Sequence, residues 1–167
     1  SKIVSPYNKN DDPKLRPRYT GIPTFLRAEY TNSLEEVDIG LVGIPFDGGV
    51  TNRPGARHGP REIRNQSSLI RTINQSTGIA PHELCRIRDI GDAWVSSPYH
   101  LETSLDEIAQ HFERIHTAGV IPLSAGGDHS VTLPIFRAIA KDNPVGMLHF
   151  DAHCDTGDDY LGSKFHH

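Results

Sequence analysis

Val145-Gly-Met-Leu-His-Phe-Asp-Ala-His-Cys-Asp155 decides the reading of this chain. The apolar run Val145 to Phe150 leads into Asp151, His153 and Asp155 at alternate positions. An extended backbone sends residues i, i+2 and i+4 to one side. Read as a buried parallel strand, the run ends by presenting an Asp, a His and an Asp together. Such oxygen and nitrogen donors, with no cysteine pair, suit Mn²⁺, Ni²⁺ or Zn²⁺. His149 lies inside the run and is expected to be a core histidine rather than a ligand. Cys154 falls between the donors and is assigned to packing.

Upstream, Leu123-Ser-Ala-Gly-Gly-Asp-His129 offers another histidine after a Gly-Gly turn. Asp128 beside it either orients a neighbouring group or caps the helix that follows. A carboxylate can bridge, so Asp151 or Asp155 can hold two ions between them.

Strand and helix patterns alternate through the rest. Val37–Ile44, closed by Pro45, reads as a buried strand, Cys85–Ile90 as a second, Val120–Ser124 as a third and Val145–Phe150 as a fourth. Leu101, Leu105, Ile108, Phe112 and Ile115 form a helical stripe that Gly119 stops. A helix with Pro60 in its first turn is expected through Arg71, and another around Leu133 to Ile139. Alternating elements imply an α/β fold with a mostly parallel sheet covered on both faces. Ligands gather outside the carboxyl ends of such strands, where both donor motifs fall.

Residues 1–36 are polar and irregular and read as an N-terminal arm. They are ordered only by docking, with Pro23-Thr-Phe-Leu26 as the docking point. Residues 37–167 read as the N-terminal part of a single domain. Between its first strand and first helix lies a glycine-rich loop, Gly48 to Pro60, that follows neither the Walker nor the dinucleotide pattern. Asn52 and Arg53 in it either line a substrate entrance or belong to a structural loop.

Hydrophobic residues make up 36% and charged residues 23% of the 167, with net charge −4. Nothing in that balance argues for a disordered chain or for a nucleic-acid partner. No apolar stretch suits a membrane. Two cysteines are too few for a disulfide framework, so a cytoplasmic, reducing setting is expected.

The motifs GGDHS at 126–130, DAHCD at 151–155 and GARHGPREIR at 55–64 resemble the ureohydrolase family of arginases, agmatinases and guanidino-acid hydrolases. The resemblance runs from about Tyr19 to the last residue. Segments 51–71, 132–138 and 146–156 look most like the guanidinopropionase and guanidinobutyrase branch. It implies a three-layer αβα sandwich, arginase-like and incomplete in this chain, with two divalent ions, manganese foremost and nickel as the other choice. Carried over by position, His129 and Asp155 bind one ion, His153 the other, and Asp151 bridges both. Asp155 and His167 take catalytic roles, His167 as proton shuttle with His166 its neighbour. A further D-x-D ligand motif of the family is absent from this sequence.

By the same resemblance the substrate is a small guanidino acid, 3-guanidinopropionate or 4-guanidinobutyrate, cleaved to urea and an amine. Tyr160, with Asp158 and Asp159, is expected to face the substrate's tail, and Arg53 to receive a carboxylate. Agmatine and guanidine remain alternatives, as do a one-zinc amide hydrolase of deacetylase type and a truncated, non-catalytic member. Family members assemble as homo-oligomers, usually trimers or hexamers.

Overall fold

The computed structural model describes residues 17–165. Four strands form one wholly parallel sheet: β1 (Glu29–Tyr30), β2 (Ile39–Ile44), β3 (Ile87–Asp92) and β4 (Ile121–Gly126), in the order β1-β3-β2-β4. Helices α1 (Gly59–Ser67), α2 (Pro81–Leu84), α3 (Leu101–Thr117) and α4 (Thr132–Ile139) connect and cover them. Alternation along β2 makes the layers. Val42 and Ile44 join Leu105, Ile108, Phe112 and Ile115 of α3 and Ala138 of α4 in the larger core. Leu41 joins Phe25, Ala28 and Ile87 in a smaller core on the side of the N-terminal arm. The sheet is thus flanked by helices, as the α/β reading requires. No helix among the described residues is long and apolar enough to cross a membrane.

Helix α3 follows its stripe. Each fully buried Leu, Ile or Phe along it contributes about 1.5–3 kcal/mol of apolar transfer. Its stop is a Schellman arrangement: Gly119 N–H donates to His116 O and Val120 N–H to Ile115 O. That turn places residue 119 at φ 73°, a conformation glycine adopts without a Cβ penalty.

Among the described residues of the N-terminal stretch, Phe25 packs against the rest of the chain. Phe25 is buried, its N–H donates to Asp89 Oδ2 at 2.9 Å, and the Arg64 guanidinium lies 4.0 Å from its ring centre. The sheet also takes in Glu29–Tyr30, pairing with β3, which the sequence pattern did not announce.

Two expectations are corrected. Helix α1 ends at Ser67 rather than Arg71. Ser67 Oγ accepts from Leu26 N–H, and Ser68 Oγ donates to Asn65 O, so side-chain hydrogen bonds compete with further helix. The fourth strand is not formed: residues 145–150 take no strand conformation and are exposed. A strand exists only through a partner's hydrogen bonds. The outer edge of β4, the available neighbour, pairs with nothing among the described residues.

Candidate metal centre

The site forms beyond the carboxyl end of β4. After Gly126 the chain turns, and Asp128 caps a 3-10 turn, His129–Val131, by accepting from Ser130 N–H. This sets His129 beside the 149–155 segment. Its Nδ1 lies 3.1 Å from Asp151 Oδ2 and 3.2 Å from Asp155 Oδ2. His149 Nε2 lies 3.4 Å from the same Asp151 oxygen, and its ring sits 4.9 Å from that of His129. The donor atoms of His129, His149, Asp151 and Asp155 all lie within 4.8 Å of one another.

Two imidazole nitrogens and two carboxylate oxygens converging in this way fit a borderline divalent cation. The other oxygen of Asp151 faces His153: Oδ1 accepts from its N–H at 2.7 Å and lies 3.2 Å from its Nδ1. Asp151 therefore addresses histidines on two sides. The His153 N–H, foremost, and the imidazoles around it hold its carboxyl below the usual carboxylate range.

His149 is the residue the sequence reading missed. Its place in an apolar run argues for the core, yet it stands two positions before Asp151, and extended spacing alone sends both the same way. That spacing was the available signal. His153 lies outside the group of four and is 82% exposed at its side chain. Cys154 is exposed and fills no packing role. Asn52 and Arg53 are exposed on their loop, and Tyr160 is half-exposed, bridging to Ser163 in an antiparallel pair. His166 and His167 lie outside the described residues.

The glycine-rich loop is held by two buried carboxylates. Asp47 accepts from Gly55 N–H at 2.7 Å and from Arg57 Nε at 2.7 Å. The Arg57 guanidinium, with the Gly55 and Arg57 amides, holds the Asp47 carboxyl at about 2. From the far side Asp128 Oδ2 accepts from Gly49 N–H at 2.7 Å. The loop that carries Asn52 and Arg53 is thus tied directly to the turn that carries His129.

Comparison with known proteins places this geometry in context. The family model described as the arginase family matches residues 37–167. A guanidinopropionase of Pseudomonas aeruginosa is 53% identical over 148 residues, covering 89% of this chain and 46% of that protein. A mitochondrial guanidino acid hydrolase of Homo sapiens is 43% identical over 164 residues, covering 98% of this chain and 46% of that protein. Among solved structures, the proclavaminate amidino hydrolase of Streptomyces clavuligerus superposes with a TM-score of 0.85 at 36% identity. That match covers 91% of this chain and 52% of the other. The chain spans about half the length of the relatives it matches.

Proposed function

The chain belongs to the arginase family, and from that premise we propose that the protein carrying it is a metal-dependent amidinohydrolase acting on a short guanidino acid. The substrate is 3-guanidinopropionate or 4-guanidinobutyrate. Water adds at the guanidinium carbon and one C–N bond breaks, leaving urea and a protonated amine. The observation that carries this reading is the convergence of His129, His149, Asp151 and Asp155 at the carboxyl end of a parallel sheet.

Within that reading His129, His149 and Asp155 would hold one divalent ion and His153 the second, with Asp151 shared between them. Manganese is our first choice and nickel the second. Bound there, the ions lower the pKa of water and offset developing negative charge. Arg53 pairs its guanidinium with the substrate carboxylate, and Tyr160 lines the tail. His167 carries the proton to the departing amine, by position in the family pattern. Similarity to the guanidinopropionase and the guanidino acid hydrolase favours a carboxylate-bearing substrate over agmatine.

The test is urea release by the full-length protein, loaded separately with Mn²⁺ and Ni²⁺. The substrates offered are 3-guanidinopropionate, 4-guanidinobutyrate, agmatine, arginine and guanidine. Urea from one of the two guanidino acids is expected. No urea from any compound, with metal demonstrably bound, would sink the reading.

A further inference from the structure

We propose that Asp128 is a positioning residue that locks His129 to the glycine-rich loop, so that metal affinity depends on a carboxylate that does not touch the metal. The inference rests on the metal-centre reading above. Asp128 is 6% exposed. Its Oδ2 accepts from Gly49 N–H at 2.7 Å, and its Oδ1 accepts from Ser130 N–H at 2.9 Å and from Ser130 Oγ. Both oxygens are thus engaged by donors of the loop and the turn, and Asp128 is not one of the four converging groups.

Its backbone is held as well. Asp128 N–H donates to Phe46 O at 2.9 Å, just past the end of β2. The His129 peptide is consequently fixed from both flanks, by the Asp128 N–H before it and the Ser130 N–H after it. Outer partners of this kind set the direction of a ligand ring, and losing one costs roughly 10–100-fold in metal affinity. A carboxylate is needed because both of its oxygens face N–H donors. An asparagine in either orientation turns its NH₂ toward one of those donors.

The contact is also tight from the loop side. A Cβ on Gly49 would stand 2.9 Å from Ser130 Cβ and Oγ and 3.1 Å from Asp128 Oδ2. Gly49→Ala therefore disturbs the same contact while leaving the carboxylate chemically intact.

The experiment titrates Co²⁺ into the full-length protein and follows its visible d–d bands, alongside thermal unfolding of the metal-free protein. Asp128→Asn is expected to weaken Co²⁺ binding by about 10–100-fold and alter the bands while unfolding stays cooperative. Gly49→Ala is expected to shift affinity in the same direction. Arg64→Met, a destabilising change away from the donor group, is the control and should leave Co²⁺ affinity unchanged. A folded Asp128→Asn protein with wild-type affinity and bands overturns the proposal. Should that variant not fold, Gly49→Ala decides: weakened binding supports the proposal and unchanged binding overturns it. A wild-type protein that binds no Co²⁺ instead overturns the metal-centre reading itself.

Discussion

Asp151 Oδ2 lies 3.1 Å from Nδ1 of His129, although the two residues belong to separate segments of the chain. One segment follows β4 and the other follows the exposed run 145–150, so neither local sequence sets the distance. The same carboxylate turns its second oxygen to His153. Under the proposed function, a carboxylate with histidines on two sides can serve two ions.

Asp151→Asn in the full-length protein is therefore expected to cost more metal affinity than the roughly 100-fold ceiling for an outer partner. His153→Asn is expected to lower the bound metal from two ions to one, and His149→Asn to weaken the ion beside His129. Elemental analysis of dialysed protein reads all three. Two ions retained in His153→Asn would remove that residue from the ligand set.

Asp47 gives a pH dependence of known sign. Its folded carboxyl titrates at about 2, below the ordinary 3.8, because Arg57 and two backbone amides stabilise the anion. The stability it contributes is present above 3.8 and is lost as pH falls from 3.8 toward 2. Asp47→Asn should be less stable than wild type near neutral pH, and the difference in melting temperature should shrink across that acid window. Circular dichroism melts at a series of pH values measure it. A constant difference throughout would contradict the assignment.

Arg64 holds Asp89 and Asp92 at 2.9 Å and 2.7 Å and stacks on Phe25. Removing it leaves the buried Asp89 carboxylate with the backbone N–H groups of Phe25 and Gly91 but without its guanidinium partner. Arg64→Met is expected to destabilise the fold by about 3–5 kcal/mol, read as a lower denaturant midpoint, with metal content per folded protein unchanged.

The outer edge of β4, unpaired among the described residues, exposes Ile121 and Leu123, and Leu148 and Phe150 are exposed beyond it. A bare parallel edge with apolar side chains invites pairing with another chain. A polypeptide of residues 1–167 expressed alone should self-associate in sedimentation, and Leu123→Lys should lower the associated fraction. Equal sedimentation of the two polypeptides would count against this.

Several features were legible in the residues because they are local. The stripe Leu101 to Ile115 closes its hydrogen bonds within one segment, so periodicity determined α3, and Gly119 marked its end through a backbone angle glycine adopts freely. Strand patterns at 37–44, 85–90 and 120–124 alternate with helical ones, which pointed to a parallel α/β sheet. The spacing of Asp151, His153 and Asp155 and the His129 turn pointed to metal chemistry without any fold.

Tertiary structure alone decided the rest. The run at 145–150 has the composition of a strand, but strand hydrogen bonds need a partner, and no neighbouring edge takes it up. Glu29–Tyr30 has little strand character and is a strand because β3 pairs with it. The links of Asp47 to Arg57, Arg64 to Asp89 and Asp128 to Gly49 join residues distant in sequence or separated by an irregular loop. Composition and periodicity record what a segment can bury and how its own backbone repeats. Which buried carboxylate meets which donor is settled only when the sheet brings separate segments together, since a buried charge persists only where a partner is in reach.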